Sequence, residues 1–169
     1  MPVEDSYLSS KAKFNDEMVS LLGWRAAEEV FFGKDNITTG ASNDFERVTK
    51  IASDMIMKYG MDPDLWQIVY ADTDNGQRQS FKPFSEQTAQ IIDSKIKWLV
   101  SSAYERSVAL ITANKWLMEK LADILYEKEY LSKDEFELIM NANENNIDDI
   151  IETMRAAYRK ELADIEKVG

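Results

Sequence analysis

The side chains in this sequence able to do chemistry are carboxylates, hydroxyls and amines, because histidine and cysteine are both absent. Without histidine there is no Ser–His pair, and zinc loses its usual nitrogen ligand. Without cysteine there are no disulfides, thiolate metal sites or thiol nucleophiles. Attention therefore falls on two acidic places. Glu28 and Glu29 sit side by side in Leu22-Gly23-Trp24-Arg25-Ala26-Ala27-Glu28-Glu29-Val30, and Asp44 follows the polar run Thr38-Thr39-Gly40-Ala41-Ser42-Asn43. Asp44 stands where a helix begins, and the helix macrodipole favours a carboxylate in the first turn. On spacing alone Asp44 reads either as a plain first-turn acid or as a metal ligand, and the first is the commoner case. The glutamate pair likewise reads as a helix-surface pair or as part of a site, and 38–43 as a loop of turn and cap residues or as a wall beside one.

The elements that must hold these residues are mostly helical. Only three prolines and six glycines interrupt 169 residues. Apolar residues at Phe14, Met18, Leu21, Leu22, Ala26, Val30 and Phe31 predict a helix from Ser9 to Phe32, capped by Ser9 or Ser10 and ended by Gly33, with Gly23 a weak point within it. A second helix is expected from Asp44 to Tyr59, with Ser42 or Asn43 as cap, Gly60 as stop and Val48, Ile51, Ala52, Met55 and Ile56 as its buried stripe. Leu65 to Ala71 is the one strand-like run, and Asn75-Gly76 marks a turn after it. A long helical segment runs from Ser85 to Glu127, breaking near Thr112-Ala113-Asn114; Ile91, Ile92, Leu99, Ala103, Leu117, Ile124 and Leu125 belong to its apolar stripe. Ser132 and Glu135 have the spacing of a capping box for a short helix to Met140. Ile147 to Glu166 reads as an amphipathic helix. The expected fold is all-α, bundle-like, with one short strand.

Composition closes several classes. Lys and Arg number 20 and Asp and Glu 31, a net charge of −11, which argues against a nucleic-acid partner and against anionic lipid. An apolar fraction of 44% with 30% charged residues is that of a soluble globular domain, and no apolar run is long enough to cross a bilayer.

The segment from Leu22 to Gly33 and the segment Ile37-Thr38-Thr39-Gly40-Ala41-Ser42-Asn43-Asp44-Phe45-Glu46 resemble, in order and separation, the peptidase domain of the FtsH family of membrane-anchored AAA+ zinc metalloproteases. Lys58-Tyr59-Gly60-Met61, Phe84-Ser85-Glu86-Gln87-Thr88-Ala89, Ala103-Tyr104-Glu105-Arg106 and Leu131-Ser132 with Asp134-Glu135 extend the likeness. It runs from Val3 to Met140, so 1–140 is expected to be the C-terminal part of a peptidase domain and 141–169 a linker and terminal helix. In that family zinc is held by two histidines of a His-Glu-x-x-His helix and by a later aspartate; the metal makes bound water a usable nucleophile. The resemblance implies Asp44 as that third ligand. It implies Glu28 as a partner orienting a ligand histidine, and Thr38, Thr39, Gly40, Ser42 and Asn43 as the active-site wall.

The His-Glu-x-x-His segment is absent, as is a Gly-x-x-x-x-Gly-Lys-Ser/Thr nucleotide loop. The chain is accordingly expected to be a piece excised from inside a longer protein. It is expected to hold no catalytic residue and no bound metal or cofactor, and to be inactive and soluble alone. The parent would use zinc and ATP with Mg, cleave protein substrates in a hexameric ring, and be anchored to a membrane by an upstream segment. This domain would lie on the cytoplasmic or organelle-interior side. Trp24 stands where the family usually has a second glycine, and Gln77 to Pro83 lacks the family's Gly-Arg element. The competing reading is a stand-alone degenerate peptidase domain serving as an oligomerisation or adaptor module.

Overall fold

The structure, a computed structural model, describes residues 9–65, 68–70 and 84–166. It divides into two compact units, Met1–Thr112 and Ala113–Gly169.

In the first unit, Ser10 caps helix α1 (Lys11–Leu21) by accepting the Lys13 N–H. The helical stretch expected from Ser9 to Phe32 divides at the weak point expected there: Leu22 is the junction and α2 spans Gly23–Phe32. Gly33, at φ 82°, ends α2 in a conformation that a side chain would strain. A 3-10 turn (Lys34–Asn36) follows, then α3 (Ser42–Met57) and the long α4 (Glu86–Ala113). The cap expected at Ser42 or Asn43 is displaced. Thr39 C=O accepts the Ser42 N–H at 3.1 Å, so the turn runs straight into the helix, with Ala41 in the cap position and no side-chain cap bond.

Why these helices meet is legible in their buried faces. Met18, Val19 and Leu22 pack with Val48, Ala52, Met55 and Ile56 of α3 and with Ile92, Leu99 and Ala103 of α4. Each fully buried Val, Leu, Ile or Met side chain among these stabilises the fold by roughly 1.5–3 kcal/mol. Phe14 stacks on Tyr59 at 5.5 Å and closes one edge. Ile91 departs from the expected stripe, being 39% exposed.

The strand expected over Leu65–Ala71 is not formed among its described residues, Leu65 and Ile68 to Tyr70. A strand needs a neighbouring ladder to satisfy its backbone. Here Tyr70 N–H instead donates to Met57 C=O, at the end of α3, and Tyr70 meets Phe84 edge-on at 5.7 Å. Asn75-Gly76 and the Gln77–Pro83 stretch lie outside the described residues.

The second unit holds α5 (Lys115–Lys128), α6 (Lys133–Met140) and α7 (Ile147–Glu166). The predicted break falls at Asn114, and the Ser132–Glu135 capping box is complete. Leu117, Ile124, Ile139, Ile147, Ile151 and Met154 form the core of this unit. Leu125, placed on an apolar stripe by periodicity, is exposed, as is Leu162 of α7. No helix among the described residues is long and apolar enough to cross a membrane.

Candidate functional site

Glu28 is the anchor of the site. It lies on α2 and is itself only 6% exposed. Its carboxylate takes two bonds from one residue: Thr38 donates its N–H to Oε2 at 3.1 Å and its hydroxyl to Oε1. These bonds, the hydroxyl first and the backbone N–H second, hold the Glu28 carboxyl below the usual carboxylate range against the opposing effect of burial. Smaller assistance comes from the Trp24 indole, one helical turn back, and from Arg25. So Glu28 is charged, satisfied and fixed.

The consequence is mechanical. Thr38 is pinned to α2 ten residues from Glu28, and it organises the chain that follows. Its Oγ1 accepts the Gly40 N–H at 3.3 Å, Thr39 C=O accepts the Ser42 N–H, and Ala41 C=O accepts the Phe45 N–H at 3.0 Å. Asp44 lies between these points, in the first turn of α3, half-buried. The buried Val48 next on the same face ties that end of α3 into the core. The segment from Ile37 to Ala41 thus hangs between a carboxylate clamp at one end and a packed helix at the other.

Of the expected wall, Thr38 is the structural hub; Thr38, Thr39, Gly40, Ser42 and Asn43 are all exposed. Glu29, read from the sequence as a helix-surface residue, is instead a tie across the unit. Tyr104 of α4 donates its hydroxyl to Glu29, and Lys34 stands 3.5 Å away. The Tyr104 hydroxyl bond is the main reason the Glu29 carboxyl lies below its ordinary range. Tyr104 in turn is pushed up to about 12, by burial first and by the Glu29 carboxylate second. Only the run Ala103-Tyr104-Glu105-Arg106 marked this position in the sequence, with nothing to show its partner.

The donor chemistry decides what metal the chain can hold by itself. Zinc takes about four donors from Cys, His, Asp or Glu. The sequence has no His or Cys, and among the described residues no three His, Cys, Asp or Glu side chains converge as a ligand set. A complete zinc site therefore does not fit the described residues.

Residues 1–139 match the profile of Peptidase family M41. The chain belongs to peptidase family M41. Over 137 residues it is 42% identical to the mitochondrial inner membrane m-AAA protease component yta12 of Schizosaccharomyces pombe, covering 81% of this chain and 18% of that one. It is 39% identical over 137 residues to the ATP-dependent zinc metalloprotease FtsH of Parabacteroides distasonis, covering 80% of this chain and 20% of the relative. To the chloroplastic ATP-dependent zinc metalloprotease FTSH 1 of Arabidopsis thaliana it is 38% identical over 137 residues, with 78% and 19% covered. The chain thus spans about a fifth of the length of these curated relatives. The FtsH-type resemblance carried by the Leu22–Gly33 and Ile37–Glu46 motifs is correct. Within the M41 family match lie α1 to α5 and nearly all of α6, with α7 outside it.

Proposed function

We propose that this M41 chain is the C-terminal part of the proteolytic domain of an ATP-dependent zinc metalloprotease, and that Asp44 supplies one ligand to its zinc. The observation that carries the reading is the Glu28–Thr38 clamp. It joins the two motifs that bear the family likeness and presents Asp44 from the start of α3, where the helix dipole favours the charged carboxylate. Zinc, when bound, supplies a Lewis acid and a nucleophilic water. The part of this chain is positional: Glu28 holds Thr38, Thr38 holds the loop, and α3 fixes Asp44. Glu28 as partner of a ligand histidine, and Thr38, Thr39, Gly40, Ser42 and Asn43 as wall residues, complete the assignment.

In this proposal 1–140 is the peptidase portion and 141–169 a linker with a terminal helix. The other ligands come from residues outside this sequence, so the 169-residue chain alone is inactive and binds no zinc tightly. Protein substrates, ATP with Mg, ring assembly and a membrane anchor belong to the longer protein, as its relatives' names suggest for the ATP, the zinc and the membrane.

Zinc titration by calorimetry tests this. The 169-residue chain should take up no stoichiometric tight zinc. The full-length protein should bind one zinc per chain, and Asp44→Asn should abolish both that site and peptide cleavage while leaving the helical signal of the short chain intact. Tight zinc in the short chain, or an Asp44→Asn protein that keeps its zinc, would refute the assignment. A natural gene product ending upstream at Met1 would favour an adaptor module instead.

A further inference from the structure

Helix α2 carries Glu28, the anchor of the clamp, yet its own hold on the core is slight. The apolar core of the first unit is built from α1, Leu22, α3, Leu65 and α4. Of the ten residues of α2, only Ala26 and Glu28 are buried. Apolar burial is non-directional, and one buried methyl group fixes neither the rotation nor the slide of a helix. Directional bonds must do so. Glu28 makes one, but it ties α2 to a loop that itself depends on α2. The other comes from Glu29, turned by about 100° from Glu28 around the helix, whose carboxylate accepts the Tyr104 hydroxyl. Lys34, a further partner of Glu29, stands 3.5 Å away with its side chain 81% exposed, a pair of little weight.

Tyr104 is the fixed end of that bond. It packs against the same core as Val48, Ala52, Met55 and Ile56 of α3, the helix that begins with Asp44 in its first turn. Core and α3 therefore give Tyr104 a firm position from which to hold α2. Burial first and the Glu29 carboxylate second push its hydroxyl up to about 12, so it stays a donor throughout the neutral range. A phenylalanine would fill the same space, so packing accounts for the ring and not for the hydroxyl. We propose that Tyr104 is a positioning residue, whose hydroxyl, through Glu29, sets α2 against the core and so keeps the Glu28–Thr38 clamp in line with Asp44. This rests on the peptidase reading given above, in which Asp44 holds zinc. Groups that orient a ligand from behind tune how well the metal is held, and small displacements at such a site are costly.

Two measurements on Tyr104→Phe test this. In the full-length protein, chelator competition should show zinc held roughly three- to tenfold more weakly, the factor that one hydrogen bond is worth. In the 169-residue chain, the Thr38 amide, which donates to Glu28, should exchange its hydrogen faster by a similar factor, while the amides of α3 keep their protection. A residue that only adds stability would instead loosen α3 and Thr38 alike. Glu29→Ala removes the same bond from its more exposed end and should reproduce both effects, and the double variant should add nothing further. Glu29→Gln, which keeps an acceptor for the hydroxyl, should restore most of the zinc affinity. Zinc affinity or Thr38 exchange left unmoved by both Tyr104→Phe and Glu29→Ala overturns the inference, as does full additivity in the double variant. If the wild type binds zinc through Asp44 and these variants do not weaken it, this inference fails alone. If the wild type binds no zinc, the peptidase reading fails and takes this inference with it.

Discussion

The two units of this chain use the same interaction, a hydrogen-bonded charged carboxylate, for opposite ends. In Met1–Thr112 it positions irregular backbone: Glu28 binds the Thr38 N–H and hydroxyl and so shapes a loop. In Ala113–Gly169 it fastens regular helices. Arg155 of α7 reaches Glu127 of α5 with Nε and Nη2 at 2.8 and 2.6 Å, and Lys120 of α5 reaches Asp148 of α7 at 2.6 Å. Lys128, 5% exposed, pairs with Glu135 and lies 5.5 Å from the Tyr158 ring centroid. The first arrangement shapes a loop on top of a core; the second fastens one helix to another. The comparison with relatives follows the same line, since the family match takes in every residue of the candidate site and ends at 139, short of α7.

The largest effects should come from splitting the cores. Ile124→Ala in the second unit and Met55→Ala in the first, both at fully buried positions, should each cost about 2–5 kcal/mol. Amide hydrogen exchange should show the loss of protection confined to the unit that carries the change. Equal loss in both units from either variant would mean that the division is geometric and not energetic.

A smaller effect separates the two uses of carboxylates. Glu135→Ala removes half of the α6 capping box and strands the buried Lys128, so it should destabilise the second unit by about 2–4 kcal/mol. Ser132→Ala, which loses the cap alone, should cost about 1 kcal/mol. Urea unfolding of the two variants measures the difference; equal costs would show that the Lys128 pair contributes nothing beyond the cap.

The smallest effect is on pH dependence, and its sign is the same in both units. Glu28, Glu29 and Glu135 all have folded pKa values below their ordinary ones. Each therefore contributes stability fully present above the unfolded carboxylate value, which fades as pH falls through the lower folded value. Thr38→Val removes the leading cause at Glu28, so NMR titration should find that carboxyl moved up toward the ordinary range, with Glu135 unmoved. A Glu28 titration unchanged by Thr38→Val would break the claim that the clamp holds the loop.

What could be read in advance follows the range of the interaction. The Ser10 cap, the Gly33 stop, the Ser132–Glu135 box and the break at Asn114 are all set within a few residues, and they were legible because helix termini are satisfied locally. So was the buried stripe of α3, since helical periodicity and a single core face leave one solution. The motif order likewise identified the family without any coordinates. Periodicity failed where a helix has more than one apolar side or too little to pack on: it put Ile91 and Leu125 inside, and both are exposed. It also offered a strand at Leu65–Ala71, although backbone pairing depends on a partner that alternation cannot supply.

The sequence by itself determined most of the helical segments, several of their ends (Ser10, Gly33, Asn114 and Ser132) and the identity of the acids at issue, because each rests on neighbours within about one or two turns. Only the tertiary structure decided what those acids do. It brought Thr38 to Glu28 across ten residues and Tyr104 to Glu29 across 75. It also laid Trp24 beside Gly40. Such pairings depend on how whole helices pack, and one carboxylate differs from its neighbour in sequence only by the face of α2 on which it lies.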